Sequence, residues 1–323
     1  MTRVSAPHAI VANGLRKTYG ETVALAEASF DVPRATVCAL LGPNGAGKTT
    51  TVRLLTTLAV PDAGSATVAG LDVVTHPVEV RRRIGLAAQD ATVDGLLTGR
   101  ENLAMIGRLH ALDRRAARVR ADELLEQFSL TDAANRLVKT YSGGMRRRLD
   151  LAATLVSHPE VLFLDEPTTG LDPRSRNDLW AVLETLVDAG TTILLTTQYM
   201  EEADRLADDI VVIDHGRVIA RGDAAALKGQ VGGSQVVIVV KSRHDLPEAE
   251  RILTSVTGTD AEVDPTALAV RSSSAGGTEI LARVAEAIGR SGLEVDDLGI
   301  RRPTMDEVFL TLTGHGIDAA EEA

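Results

Sequence analysis

The stretch Leu40-Leu41-Gly42-Pro43-Asn44-Gly45-Ala46-Gly47-Lys48-Thr49-Thr50 decides the fold of this chain. Its residues from Gly42 to Thr49 fit the phosphate-binding pattern G-x-x-x-x-G-K-S/T. The apolar run 36–41 before the pattern predicts a buried strand, and the apolar spacing of 51–58 after it predicts a helix. The sequence therefore predicts a glycine-rich turn that links a strand to the start of a helix.

A helix start gives a physical reason for phosphate binding, because its first backbone N–H groups have no partner within the helix. Glycines let the turn close around an anion, and we expect residues 42–50 to line a nucleotide. Lys48 is expected to contact the β- and γ-phosphates of ATP and to assist catalysis, and the Thr49 hydroxyl to bind Mg²⁺. The alternative is a glycine turn with a surface lysine.

Length and charge limit what the chain can do. With 323 residues it is long enough for one large and one small domain. Its formal net charge of −11 argues against wrapping a nucleic-acid backbone, so we expect no nucleic-acid partner. The arginine triplets 81–83 and 146–148 are expected to be solvated or interfacial helix faces.

The sequence lacks the signals of a membrane or secreted protein. No apolar run approaches the ~18 residues of a membrane span, and the N-terminus has no apolar signal-peptide segment. We therefore expect a soluble protein in a reducing cytoplasm, with any membrane role supplied by a partner. The one cysteine, Cys38, is expected to be a small buried side chain.

Strands and helices alternate from residue 8 to about 228, which predicts an α/β domain with a mainly parallel sheet and functional residues at strand carboxyl ends. Residues 10–20 predict an edge strand, and 28–32 a strand returning beside it. A block rich in Ala, Leu, Arg and Glu begins near Thr98. We interpret residues of about 98–157 as a helical insertion into this domain.

Asp165 and Glu166 end the apolar strand that begins at Val161. A parallel sheet is expected to lay this strand beside the phosphate-loop strand, which brings both carboxylates next to Mg²⁺ and the γ-phosphate. Asp165 suits the metal's coordination shell, and Glu166 suits orienting or deprotonating the attacking water. The alternative is an exposed acidic pair that opens the turn at Pro167.

The residues 234–313 predict a second, small α+β domain with a βαββαβ-like pattern. Its predicted strands cover 235–240, 268–271 and 293–300, and its predicted helices cover 247–256, 278–290 and a closing segment at 305–312. We find no chemistry in its sequence, and we assign it to dimer contact or regulation.

The motifs follow one another in an order that resembles the ATP-binding-cassette (ABC) family of transport ATPases, over about residues 8–228. Besides the phosphate loop and Asp165-Glu166, the resemblance rests on three segments. These are Gln89 for the glutamine loop, Tyr141-Ser142-Gly143-Gly144-Met145 for the family signature, and Gly170-Leu171-Asp172 for the loop that crosses the dimer interface.

The resemblance implies two nucleotide domains arranged head to tail, most simply an identical pair, with each signature completing the other copy's ATP site. The residues agree, because Ser142 and the N–H groups after it form a second anion site that cannot reach the same chain's phosphates. The resemblance also implies that Gln89 links the metal site to a transmembrane permease subunit. Tyr19 matches the family's adenine-stacking aromatic; without the resemblance, it is equally an exposed edge tyrosine.

Two positions depart from the family pattern. The signature has Tyr141 and Met145 where Leu and Gln are usual, but its Ser-Gly-Gly core is kept. Gln198 stands where most relatives place a histidine that touches the γ-phosphate; glutamine can donate a hydrogen bond but cannot carry a proton, so hydrolysis is expected to be slow. Gln198, the Tyr-Ser-Gly-Gly-Met signature and the segment 301–310 are similar to the ATPase subunits of daunorubicin-resistance-type exporters.

Three functional hypotheses follow. The first is an ATP-hydrolysing subunit that lies on the inner face of the cell membrane and energises export of a drug or other hydrophobic compound through a separate permease. The second is a soluble ABC ATPase of DNA repair or translation, although the zinc insertions, coiled coils or second cassette usual there are not visible. The third is a nucleotide-switched regulatory module that barely turns over, which Gln198 suggests.

Overall fold

The computed structural model describes residues 8–88, 92–231, 235–273, 277–301 and 303–314. The chain folds into two compact units, whose sequences meet at Ala224 and Ala225. None of the helices in the described ranges is long and apolar enough to cross a membrane.

The larger unit is built on one ten-stranded sheet. Its strands are β1 (His8–Tyr19), β2 (Thr22–Pro33), β3 (Val37–Leu41), β4 (Ala63–Val68), β5 (Leu71–Asp72), β6 (Ile84–Ala87), β7 (Val161–Asp165), β8 (Thr192–Thr197), β9 (Asp209–Asp214) and β10 (Arg217–Gly222). Its α-helices are α1 (Lys48–Leu55), α2 (Pro77–Arg83), α3 (Gly99–Leu109), α4 (Arg114–Gln127), α5 (Gly143–Thr154), α6 (Pro173–Asp188) and α7 (Met200–Leu206), and α8 (Ala224–Val231) begins where the units divide.

The strand order is β5-β4-β1-β2-β10-β9-β3-β8-β7-β6. The strands β9, β3, β8, β7 and β6 are parallel neighbours, whereas β5, β4, β1 and β2 pair antiparallel. The predicted combination of a mainly parallel sheet with antiparallel strands toward one edge is confirmed. Two details were wrong. β1 is not an edge strand, because β4 pairs with its outer side. β7 does not lie beside β3, because β8 separates them.

The parallel strands form the most apolar layer of the unit. Every residue of β3, β7 and β8 is buried. Removing a side chain as large as Leu or Phe from water contributes roughly 1.5–3 kcal/mol, so this layer is a rigid support for the loops at its carboxyl edge. Cys38 is fully buried in β3, as predicted, and burial raises the pKa of its thiol.

A cluster of charges reinforces the point where the parallel and antiparallel parts of the sheet meet. There β10 pairs with β2 through a single residue pair, Arg217 and Glu27. Arg221 of β10 donates from Nε to Asp209 Oδ2 of β9 at 2.8 Å and from Nη1 to Asp31 Oδ1 of β2 at 2.8 Å. The hydrogen bond from Arg221 lowers the pKa of Asp31. One guanidinium therefore ties three strands together where the ladder is shortest.

The predicted helical block is confirmed, and its helix starts are set by local side chains. Thr98 and Glu101 form a capping box at the start of α3, and Asp113 accepts the N–H of Ala116 at the start of α4. Such caps each stabilise a helix by about 1 kcal/mol because they satisfy N–H groups that the helix cannot. Arg120 of α4 donates to the Leu155 carbonyl at 2.8 Å, which fixes α4 against the end of α5.

The smaller unit contains a four-stranded antiparallel sheet of order β12-β13-β11-β14. Its elements are β11 (Gln235–Val240), α9 (Leu246–Thr257), β12 (Glu262–Asp264), β13 (Ala269–Ser273), α10 (Gly277–Ser291), β14 (Val295–Arg301) and α11 (Met305–Thr313). The predicted βαββαβ order and closing helix are confirmed. β12 was not predicted from the sequence, because its three residues, Glu-Val-Asp, include only one apolar side chain. Apolar faces of α9 and α10 cover the sheet and bury Ile252, Leu253 and Val284.

Candidate active site

The phosphate loop connects β3 to α1 as predicted. Gly47 is the N-cap of α1 and has φ of 107°, a left-handed conformation that L side chains rarely adopt. A Cβ at Gly47 would lie 2.6 Å from the carbonyl oxygen of Ala24 in β2. Glycine is therefore required at this position by both conformation and space, and the loop is held directly against β2.

Lys48 is the first residue of α1, and only 5% of its surface is exposed. Its Nζ donates to the carbonyl oxygens of Gly42 at 2.7 Å and Pro43 at 3.0 Å. Burial lowers the pKa of Lys48, while the nearby carboxylates of Glu166 and Asp165 act in the opposite direction. The ammonium group is therefore inside the loop, between the loop backbone and the acidic pair, and the alternative of a surface lysine is wrong.

Asp165 ends β7 and is 5% exposed. Its Oδ1 accepts the hydroxyl of Thr196 from β8 at 2.5 Å and the hydroxyl of Thr49 from α1 at 3.4 Å. Thr196 thus connects Asp165 to the strand that separates it from the phosphate loop. The three oxygens converge beside Lys48, and carboxylate and hydroxyl oxygens are the donors that Mg²⁺ prefers.

Glu166 follows Asp165 with φ of 48°, a left-handed backbone that is unusual for a residue other than glycine. Its N–H donates to two oxygens of Thr196, the backbone carbonyl oxygen and the side-chain hydroxyl oxygen, each at 3.1 Å. Its carboxylate accepts the Thr169 hydroxyl at 3.3 Å. Because Asp165 is buried and Glu166 is partly buried, the alternative of an exposed acidic pair is wrong.

The remaining residues predicted near the nucleotide lie at the same end of the sheet or outside the described ranges. Gln198 directly follows β8, the strand between β3 and β7. Tyr19 ends β1 and pairs with Thr22 at the start of β2, two residues before the Ala24 carbonyl that touches the loop. The Tyr19 side chain is 44% exposed, and Lys17 Nζ lies 5.5 Å from the centre of its ring. Gln89 is outside the described residues.

The signature residues form the start of α5. Ser142 is the N-cap, and its hydroxyl accepts the N–H of Met145 at 3.2 Å. Ser142 and Gly143 are exposed. Tyr141 is buried, its hydroxyl donates to the Ala133 carbonyl at 2.7 Å, and burial raises its pKa. Tyr141 therefore anchors the helix start to the preceding turn, while Ser142 and Gly143 remain open to solvent.

Gly144 brings α5 close to the segment that contains Asp172. A Cβ at Gly144 would lie 2.6 Å from the Ser175 hydroxyl. Asp172 is the N-cap of α6 and accepts the N–H and the hydroxyl of Ser175 at 2.9 and 2.7 Å, hydrogen bonds that lower the pKa of Asp172. The signature helix and the predicted interface loop are thus adjacent within one chain.

Two residues at this site were not identified from the sequence. Thr196 lies inside a run of apolar and threonine residues, which gives no signal that one hydroxyl bonds Asp165. Arg147 belongs to the triplet interpreted as a solvated or interfacial helix face. A solvated face is wrong for Arg147, which is partly buried and donates to the carbonyls of Asp165, Glu166 and Pro167.

Comparison with known proteins places this geometry in a family. Residues 25–169 match the ABC transporter family. The chain is 53% identical to the daunorubicin resistance ATP-binding protein DrrA2 of Streptomyces coeruleorubidus, over 97% of this chain and 98% of that protein. The chain belongs to the ABC transporter family. It is therefore an ATP-binding, ATP-hydrolysing subunit of that family, as the resemblance implied.

Other relatives agree with this assignment. The doxorubicin resistance ATP-binding protein DrrA of Mycobacterium tuberculosis is 49% identical over 94% of this chain and 93% of its own length. A solved structure of an ATP-binding subunit of an ABC transporter superposes with a TM-score of 0.62 at 27% identity, covering 68% of this chain and 92% of that one. These matches support the exporter hypothesis rather than a repair, translation or regulatory protein.

Proposed function

We propose that this chain energises export of a hydrophobic drug by binding and hydrolysing Mg-ATP in a head-to-tail dimer attached to a separate permease. The observation that carries the chemistry is the convergence of the Thr49 and Thr196 hydroxyls on Asp165 Oδ1 beside the buried Lys48. The names of the relatives, which refer to daunorubicin and doxorubicin resistance, support a hydrophobic drug as cargo.

In this proposal the loop 42–50 encloses the triphosphate, and Lys48 exchanges its loop carbonyls for the β- and γ-phosphates. Thr49 and Asp165 would hold Mg²⁺, directly or through water, and we assign Gln89 to the same ion. When bound, the cation neutralises charge on the phosphates as the leaving group departs. Tyr19 stacks on the adenine from the β1–β2 turn.

Glu166 orients and deprotonates the attacking water, and Gln198 donates a hydrogen bond to the γ-phosphate. A glutamine at this position positions the phosphate without exchanging a proton. Hydrolysis then depends on Glu166 alone for proton transfer, which agrees with the expected slow rate of ATP hydrolysis.

The second half of each site comes from the partner copy. The start of α5 exposes Ser142 and Gly143 to solvent, and α5 has twelve residues to align its dipole. We assign residues 141–145 and Asp172 to the contact with an identical partner and its nucleotide. The dimer lies on the inner face of the membrane, where each copy meets the permease.

The test is a Glu166→Gln variant, which keeps the shape of the side chain but removes the base. Removing a general base costs about 10²–10⁴-fold in turnover, so Mg-ATP should trap a stable dimer that elutes early in size-exclusion chromatography. Wild-type protein with ADP is the monomer control. If neither form dimerises with Mg-ATP, the sandwich mechanism is wrong. Export is tested by ATP-dependent daunorubicin uptake into inverted vesicles that contain the chain and its permease.

A further inference from the structure

One arginine side chain connects the signature helix to the catalytic turn. Arg147 of α5 donates from Nε to the Pro167 carbonyl at 2.9 Å and from Nη2 to the carbonyls of Asp165 at 3.2 Å and Glu166 at 3.1 Å. Its Nη1 donates to the Ala88 carbonyl at 3.0 Å, just after β6. Only the forked guanidinium has enough donors to make these four bonds at once.

The turn that Arg147 holds needs support because Glu166 has a left-handed backbone. Such a conformation is unfavourable for a side chain with a Cβ and persists only where the surroundings fix it. Thr196 fixes the N–H of Glu166, and Arg147 fixes its carbonyl. The direction of the Glu166 carboxylate is therefore set from two sides, one in the sheet and the other in α5.

Charge favours the same arrangement. The Arg147 side chain is partly withdrawn from water, which lowers its pKa, while Asp150, Asp165, Glu202 and Glu166 stabilise its positive charge. Asp150, one turn later on α5, accepts the N–H groups of Thr92 at 2.8 Å and Val93 at 3.1 Å. The same face of α5 thus holds backbone on both the β6 side and the β7 side.

We infer that Arg147 is a positioning residue for hydrolysis, which orients Glu166 and transmits to it any displacement of α5 when the partner's nucleotide contacts Ser142. The inference rests on the proposed roles of Glu166 and Ser142. Arg147 itself touches no reacting atom. Its part is to keep the carbonyls of residues 165–167 in place while the signature helix moves as a rigid body.

A neighbouring arginine provides a matched control. Arg148 lies on the same helix, is also partly buried, and donates to the Phe128 carbonyl at 3.2 Å, at the end of α4. Replacing it removes the same charge and a part-buried hydrogen bond but leaves residues 165–167 untouched. A purely structural role for Arg147 predicts that both replacements have the same effect.

The experiment compares full-length Arg147→Gln, Arg147→Lys and Arg148→Gln by kcat, KM for ATP, melting temperature and the Kd of a fluorescent ATP analogue. Misplacing a catalytic group by about 1 Å costs up to about 10²-fold, so we expect Arg147→Gln to lower kcat about 10- to 100-fold. Its Kd should stay within about twofold of wild type, because the phosphate loop does not involve Arg147. Arg147→Lys should recover part of kcat, and Arg148→Gln should keep kcat even where its melting temperature falls.

The inference is overturned if Arg147→Gln keeps wild-type kcat, if Arg148→Gln loses as much, or if Arg147→Lys is no better than Gln. A parallel rise in the analogue's Kd would also overturn it, because that would show general damage to the nucleotide site. The proposed function fails differently. In that case Glu166→Gln would hydrolyse ATP normally or fail to dimerise, whatever the Arg147 variants do.

Discussion

The starts of α1 and α5 are both glycine-rich helix N-termini, but they differ in how far the chain itself encloses them. The start of α1 is buried, with Lys48 inside the loop and Gly47 against the backbone of β2. The start of α5 is exposed, and Ser142 caps only its own helix. Similar local chemistry therefore gives one helix start that the chain encloses and another that it leaves open to solvent.

The difference shows which glycines serve the fold and which serve binding. At α1 the Gly47 conformation is required by the chain's own contacts. At α5 a Cβ on Gly144 would meet Ser175, whereas a Cβ on Gly143 would meet nothing within 4 Å. A residue that the fold does not need to be glycine, on an exposed helix start, is a candidate for contact with another molecule.

The largest expected effect comes from removing the Lys48 ammonium from the phosphate loop at the start of α1. Lys48→Ala removes the buried ammonium, and loss of one preorganised charge of this kind costs about 10²–10³-fold in kcat. ATP binding should weaken as well, since the same charge contacts the ground-state phosphates. Turnover and nucleotide titration measure both. Lys241→Ala, which removes an ammonium of the smaller unit bound to Glu294, is the charge control and should keep turnover. A wild-type kcat for Lys48→Ala would show that the enclosed start of α1 is not the site of ATP hydrolysis.

Mixing variants tests whether the open site serves a second copy. Lys48→Ala disables the enclosed site and Ser142→Arg blocks the open one, so each variant alone should be nearly inactive. In a head-to-tail heterodimer, the intact loop of one chain meets the intact signature of the other. Random mixing should then restore roughly a quarter of wild-type turnover, because half of the dimers carry one good site. Activity that stays at the level of the separate variants would exclude sites shared between copies.

Alanine at each signature glycine separates folding from contact. Gly144→Ala should lower the free energy of unfolding by about 1–3 kcal/mol, because its Cβ overlaps the Ser175 hydroxyl. Gly143→Ala should preserve or raise stability, by up to about 1 kcal/mol, because alanine favours helix. We nevertheless expect Gly143→Ala to lower ATP-dependent dimerisation. Thermal melting and size exclusion give the two readouts, and equal stability of both variants would contradict the geometric difference.

The smallest effect concerns the buried carboxylate of Glu202. Glu202 of α7 is fully buried, its Oε1 accepts the indole N–H of Trp180 at 3.3 Å, and burial raises its pKa. The folded protein therefore keeps this proton to a higher pH than the unfolded chain, which loses it near pH ~4.3. Wild-type stability should fall relative to Glu202→Gln as the pH rises through the raised pKa.

Melting temperatures of wild type and Glu202→Gln from about pH 4 to pH 8 measure this difference, which should amount to a few degrees at most. Glu201→Gln, at an exposed neighbouring position, is the control and should show no such trend. A difference that shrinks with rising pH would mean that hydrogen bonds, from Thr197 above all, and Arg176 stabilise the Glu202 anion by more than burial penalises it.

The sequence predicted the local parts of the molecule well. The glycine spacing around Lys48 indicated a strand, a turn and a helix, because the turn's conformation depends on residues within the motif itself. The beginning of the helical block near Thr98 and the alternation of the small unit were also local patterns, readable within a few residues. The order of motifs along the chain then identified the family.

The contacts that could not be predicted are those that depend on how distant segments pack, above all on which strands become neighbours. Nothing in the residues around Val161 indicates that β8 lies between β7 and β3, so the contact between Thr196 and Asp165 could not be found. The contacts of Arg147 with the backbone of residues 165–167 could not be predicted for the same reason. A triplet of arginines on a helix is usually solvated, and only the packing of α5 against the end of β7 shows that the middle one is bound to backbone.

The place of β8 between β3 and β7 has a consequence for the metal. Adjacent strands lie about 4.8 Å apart, so strands separated by a third lie roughly 9.6 Å apart. In the proposed function, Thr49 at the start of α1 and Asp165 at the end of β7 would hold the cation from either side of this gap. β8 supplies the Thr196 hydroxyl that holds Asp165, and it also acts as a spacer. Moving the acids one strand nearer would remove this spacing together with the Thr196 hydroxyl that holds Asp165.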